Sequence, residues 1–287
     1  MCDRRPPRPP GAKRVTSPDV GWVLDPAVLL PLAVYAGVYV WRFAHARREA
    51  GGRGAGALQA LAFAGALVAL LVALASPIEE LGERYLFSAH MVQHLLLGDI
   101  APLLVLLALS RVIMRPATRR LVRLERALGR LAHPLVGLGV WLALIYAWHV
   151  PALYEAALAS PPLHALEHAS FFTAGVALWW PLVQPVPMRR RLSGLGSLAY
   201  IGATKAGLAA LGLYLVWSSA VAYPFYEAAP RIWRLSARED QNVGGAIMMV
   251  EQSLVLFAFF VLMFVRMLTQ SEEEERRRER LEDAAAA

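Results

Sequence analysis

Two histidines, His90 and His94, stand at the head of a long apolar run in the segment Ser88–Leu97. Residues four apart share one face of a helix, about one turn above each other. The same spacing recurs at His164 and His168 in LHALEHASFF, and His149 closes the run WLALIYAWHVP. Neutral imidazole is the commonest nitrogen ligand for zinc, copper and iron. It is also costly in hydrocarbon, so an intramembrane histidine is a functional candidate by default. Two such pairs plus His149 offer more donors than one ion needs. Met91 and Met248 could add thioether ligands of the kind copper(I) accepts. Asp240 is a further ligand or a supporting group at the same level. Two other readings stay open. Membrane cytochromes hold haem between histidines on different helices, and a single interfacial pair can simply bond backbone carbonyls or headgroups. The crowding of the histidines, beside loops poor in arginine, favours an ion over haem.

The elements that must position these rings are membrane helices. The chain is 57% apolar and only 18% charged over 287 residues, too apolar for an ordinary soluble protein of this size. Its apolar blocks approach the roughly 20 residues that cross a bilayer. The expected fold is all-α: one polytopic domain of about seven transmembrane helices over residues 26–268. A basic, proline-rich tail precedes it (1–25), expected to be disordered rather than a signal peptide. A charged tail, 269–287, follows. The expected spans begin near Pro26, Ala57, Leu86, Pro134, Leu163, Leu198 and Asn242. The stretch Arg111–Arg130 reads as a surface helix on the headgroups. The net charge of +7 belongs to loop arginines rather than to a nucleic-acid surface. Cys2 is the lone cysteine, so no intrachain disulfide forms.

Loop charge sets the expected orientation. Arg47, Arg48 and Arg53 follow the first span, seven arginines lie between Arg111 and Arg130 after the third, and Arg189, Arg190 and Arg191 follow the fifth. The loops after the second and fourth spans hold Arg84 and no basic residue, respectively. By the positive-inside rule the odd loops are cytoplasmic, the N-terminus is outside and the C-terminus is cytoplasmic. His90, His94, His149, His164 and His168 then share the external end of the bundle. His45 and His133 fall on the opposite side.

Asp99, Lys205 and Glu251 fall near mid-depth, where charges are expected to pair. A structural ion pair is the simpler reading of these three, and an ion or proton path the other. Trp41, Trp148, Trp179, Trp180, Trp217 and Trp233 read as an interfacial belt. Gly244 and Gly245 read as close-packing positions. Motifs for soluble catalysis are absent: no P-loop, no dinucleotide fingerprint, no HExxH and no GxSxG. The final span has no lysine for a retinal Schiff base. The chain reads as a binding protein, not an enzyme.

Four motifs occur in order: AHMVQHLLL, WHVPALYEAAL, HALEHASFF with Trp179-Trp180, and DQNVGGAIMM. Together they resemble the CtaG-type cytochrome c oxidase assembly factors associated with caa(3)-type oxidases, over roughly Tyr85 to Phe264. The resemblance implies a multi-pass protein of the bacterial cell (inner) membrane that helps mature the terminal oxidase by handling copper. Its implied partners are oxidase subunits or copper chaperones. The family's histidines match His90, His94, His149, His164 and His168, and its acidic position matches Asp240. After Met248 the family often shows a tryptophan followed by small residues, where this chain has Met249, Glu251 and Gln252. A haem-binding redox protein and a metal or proton permease are the alternatives.

Overall fold

The computed structural model describes residues 18, 21–189, 192 and 194–286. Most of the basic tail, together with Arg190 and Arg191, lies outside the described residues. Among them the only regular structure is helix, with no strand. Helix α1 (Pro26–Glu49) starts where Asp25 accepts from the amide of Ala27 at 2.8 Å, with Pro26 in the first turn. Both are standard start signals. Helix α2 (Ala57–Ala75) stops at Ser76, whose hydroxyl caps the short α3 (Pro77–Arg84) by accepting from Ile78 N at 3.2 Å. Leu86 is extended, and α4 (Phe87–Leu95) begins the next long element.

That element does not continue as plain α-helix. Leu96–Ile100 forms one π-helical turn before α5 (Ala101–Ala108). Such bulges often sit at functional sites; here the turn comes directly after His94. The arginine-rich stretch forms α6 (Arg115–Leu128), followed by a 3₁₀ turn, Gly129–Ala132. It is bent by 70° from α7 (Pro134–Trp148). His133 caps α7, its Nδ1 accepting from Leu135 N at 3.2 Å. Proline also opens α8 (Pro151–Ala159) and α9 (Pro161–Val183). Its missing N–H costs nothing in the first turn and blocks continuation of the helix before it. Helices α10 (Leu195–Trp217), α11 (Pro224–Ala228) and α12 (Ala237–Ala286) complete the chain. The mixed-charge tail thus continues α12 to Ala286, and its Glu272–Arg276 and Glu273–Arg277 spacings suit a solvated helix.

Five of these helical elements are long and apolar enough to cross a membrane: Pro26–Glu49, Ala57–Ala75, Phe87–Ala108, Leu195–Trp217 and Ala237–Ala284. The bent pair of α6 and α7 brings the number to six if it counts as one span. The expected fourth span forms, but its 15 residues reach only about 22 Å, short of a hydrocarbon core of about 30 Å. The expected fifth, α9, has 23 residues, but His164, Glu167 and His168 lower its hydropathy.

The main core is built by α4, α5, α7, α9, α10 and α12, around Phe87, Met91, Trp141, Phe171, Trp179 and Leu215. Close approach is set by glycines. A Cβ on Gly175 would collide with Gly98 O, so α9 lies directly on the π-helical turn. A Cβ on Gly244 would sit 2.5 Å from the Phe87 ring, and one on Gly245 would lie 2.9 Å from Leu215 Cβ, as their close-packing reading requires. The expected tryptophan belt divides. Trp41, Trp217 and Trp233 are exposed, whereas Trp148 and Trp179 are buried in the core. Their indole N–H groups find internal acceptors, Ser170 Oγ at 2.7 Å and Asp99 Oδ1 at 2.6 Å, which is what buried tryptophans need.

Candidate metal centre

Three helix starts and one helix end meet at one end of the bundle. The start of α4 is tied to the start of α12. Asp240 Oδ2 accepts from Phe87 N at 2.7 Å, and its Oδ1 accepts from Ser88 N at 3.1 Å and from Ser88 Oγ at 2.5 Å. A carboxylate there satisfies free amides and complements the helix dipole. Asp240, expected as a further ligand or support, is therefore occupied as a cap. This fixes α4 with His90 and His94 pointing inward, both buried. Their Nε2 atoms lie 2.7 Å apart.

Helix α9 brings the second set. His90, His94, His164 and Glu167 each offer one ligand atom, and these atoms all lie within 4.8 Å of one another, all four residues being buried. Glu167 Oε1 is 3.6 Å from His94 Nε2. The rings of His90 and His164 are 5.4 Å apart between centroids. His168 is half-buried beside the group, its ring 4.0 Å from that of His164 and 5.7 Å from that of His94. His149, at the end of α7, is further out at 6.5 Å from His94. The five expected histidines thus share one end of the bundle, but only three join the compact set. Its fourth member, Glu167, was not foreseen. It sits three residues after His164, on the same face, and an acid in an apolar run is itself a signal.

The set is oriented from behind, as metal-ligating imidazoles usually are. His164 Nδ1 pairs with Glu83 Oε1 at 2.8 Å. His149 Nδ1 lies 2.8 Å from Ile145 O. His90 Nδ1 faces the Tyr226 hydroxyl at 3.3 Å; that hydroxyl donates to Gly82 O at 2.7 Å and lies 3.1 Å from the Tyr154 hydroxyl. Burial, more than any neighbour, pushes the Tyr154 and Tyr226 phenols well above their usual range, so both stay protonated and able to donate.

The atoms left over test whether a cation fits. His164 Nε2, His168 Nε2, His149 Nε2, His94 Nδ1 and both oxygens of Glu167 are buried without a hydrogen-bond partner. Unpartnered buried acceptors are costly, and a buried carboxylate especially so. Lone pairs from imidazoles and one carboxylate are the donor set that Zn(II) or copper takes, at about 2.0–2.2 Å. The residues present fit such an ion.

The mid-depth charges lie near enough to act on one another electrostatically. Lys205 Nζ donates to Met249 O at 2.8 Å. Asp99 accepts from Trp179, and neither oxygen of Glu251 has a hydrogen-bond partner. Among the described residues no ion pair within 4 Å joins the three, although Lys205 and Asp99 both act electrostatically on Glu251. Met91 and Met248 are buried and line a small cavity beside His94 and His149.

Apolar spans around a buried histidine–carboxylate cluster define a multi-pass helical membrane protein. Residues 37–270 match the cytochrome c oxidase caa3 assembly factor family (Caa3_CtaG), and the chain belongs to that family. Uncharacterised proteins of Mycobacterium bovis and Mycobacterium tuberculosis are each 27% identical to it over 256 residues. One of Mycobacterium leprae is 25% identical over 263 residues. In each case the match covers 84% of this chain and 38% of the relative, so the chain spans well under half the length of these curated relatives. No solved structure matches.

Proposed function

We propose that this chain supports cytochrome c oxidase assembly by receiving copper as cargo at the cluster of His90, His94, His164 and Glu167, with His149 and His168 beside it. The observation that carries this reading is the convergence of four buried ligand atoms within 4.8 Å, with His164 Nε2 and the Glu167 oxygens left without a hydrogen-bond partner. In this reading the chain is a binding protein rather than an enzyme. It crosses the bacterial cell (inner) membrane about seven times, α7 and α9 supplying the fourth and fifth spans. The N-terminus is outside, the C-terminus is cytoplasmic, and the cluster faces the external side. Its partners are oxidase subunits or copper chaperones on that side. Residues 26–268 form the membrane domain, between a basic tail and a charged one.

Ion binding is favoured over haem by space. The rings stand 4.0–6.5 Å apart, and the adjoining cavity is about 30 Å³, far too small for a porphyrin. The chain's own part in capture is to present neutral imidazoles. Glu83, Ile145 O and Tyr226 engage the rear nitrogens of His164, His149 and His90, and Glu167 offsets the cation's charge.

The test is metal analysis and a visible spectrum on one purified sample, repeated for His94→Ala, His168→Ala and the double variant. The expected wild-type result, after loading with zinc(II), is about one bound ion per chain with no haem absorption. His94→Ala should abolish most binding, and the double variant should be little worse, because ligands of one ion act together. A Soret band, or full metal occupancy in both single variants, would overturn the proposal.

A further inference from the structure

Next to the cluster, α4, the π-helical turn, α7, α9, α10 and α12 line a partly open cavity of about 30 Å³, enough for a single water-sized occupant. Its wall includes Met91, His94, Asp99, His149 and Met248. This donor set differs from that of the cluster: two thioethers, imidazole and a carboxylate.

Two of the polar members each have one atom held and one left without a partner. A carbonyl oxygen only accepts, so the 2.8 Å contact of His149 Nδ1 with Ile145 O places the proton on Nδ1. The lone pair is therefore on Nε2, which is buried and without a partner. Asp99 is anchored in the same manner. Its Oδ1 accepts from Trp179 Nε1 at 2.6 Å, while Oδ2 is buried and unpartnered. Both residues are more than nine-tenths buried, with relative exposures of 8% and 3%. One rear partner fixing each ligand is the usual support of a metal site. The two methionines choose the class of ion. Thioethers are poor hydrogen-bond acceptors and bind soft cations, copper(I) above all. A carboxylate with a monovalent ion leaves the cavity neutral, which suits its apolar surroundings.

We propose that this cavity is a second metal subsite, selective for a soft monovalent cation held by Met91, Met248 and His149, with Asp99 supplying the countercharge. It deepens the metal-site reading and rests on that reading for its role. His94 joins the two places: its Nε2 faces His90 and Glu167, and its ring forms part of the cavity wall. An ion arriving at the nitrogen–oxygen cluster thus has a softer resting place one side chain away.

The experiment measures bound metal on the purified full chain carrying Cys2→Ser, which removes the lone thiol. Silver(I) serves as a redox-inert probe for copper(I), and zinc(II) as a probe of the cluster. The expected result is about two silver ions but about one zinc ion per chain, with sulfur in the silver coordination shell by X-ray absorption. Met91→Leu with Met248→Leu conserves volume; it should lose one silver equivalent and the sulfur signal while zinc binding is unchanged. Equal silver uptake by parent and variant, or a shell without sulfur, overturns the subsite and leaves the cavity as a water site. Loss of zinc binding in the parent, with sulfur-bound silver retained, sinks the cluster reading and not this one.

Discussion

Glu167 Oε1 lies 3.6 Å from His94 Nε2 across the α4–α9 interface, and neither oxygen of Glu167 has a hydrogen-bond partner. A carboxylate with 1% exposure and no donor needs a counter-ion, and a shared cation supplies one. Glu167→Gln keeps the shape and removes the charge. It should weaken zinc or copper binding by about 10–100-fold, a loss on the scale seen when groups of a metal site are removed. Without metal it should leave the protein about as stable, because a buried carboxyl without a cation escapes the cost of its charge by holding a proton. Isothermal titration of both forms, with thermal unfolding of the metal-free samples, separates these effects. Unchanged affinity would remove Glu167 from the ligand set.

Asp240 gives the opposite pattern. Its carboxylate is taken up by two amides and a hydroxyl at the start of α4, so it acts on the fold before it acts on any ion. Asp240→Ala should cost about 1–2 kcal/mol of stability, the upper range for a helix cap. The folded fraction should still bind its normal complement of metal. Normal melting with lost stoichiometry would make Asp240 a ligand after all.

The histidine pairs were legible because a four-residue spacing in an apolar run has one helical meaning. Pro26 and Pro134 were legible as starts of spans, and both stand in the first turn of their helices; Pro77 and Pro151 also open helices, but the short α3 and α8 were hidden inside expected loops. Glu167 was overlooked between two histidines, although the rule that singled out Asp99 and Glu251 applies to it equally. Which side chains face it is another matter, because that follows from how closely α9 approaches the π-helical turn. Glu83 reads as a loop acid until α3 folds back and sets it against His164. Trp148 and Trp179 look like belt residues in sequence, since only the packed fold reveals Ser170 and Asp99 as partners for their indoles.

That approach of α9 to the π-helical turn can be tested directly. Gly175 has no room for a Cβ: backbone of Gly98 and the ring of Pro102 already fill the space. Gly175→Ala should push α9 off α4 and cost about 1–3 kcal/mol by overpacking. It should also separate Glu167 and His164 from His90 and His94, so metal affinity falls in a variant that alters no ligand. Gly139→Ala is the control, since nothing lies within 4 Å of a Cβ there. Equal melting and equal metal affinity in the two variants would mean that the interface is looser than the geometry indicates.

The last prediction concerns α3, which carries Glu83. Burial first, then the neighbouring charges of Glu83, Asp25 and Glu80, push the Glu79 carboxyl up to about 7 from 4.5. An acid whose pKa is raised by folding binds its proton more tightly in the folded chain than in the unfolded one. Between those two values the folded state therefore holds more protons, and stability falls as pH rises. Below about pH 4.5 the carboxyl is neutral in both states and the penalty disappears; above about 7 the penalty is complete. Glu79→Gln removes the charge at every pH. Glu79 is not fully buried, so solvent screening cuts the gain at pH 8 to roughly 1 kcal/mol, or about 2–4 °C in Tm for a domain of this size. At pH 4 the two proteins should melt together. Thermal unfolding of both across pH 4–8 reads the difference. A gain that is the same at every pH would assign the effect to packing of the amide and not to the charge.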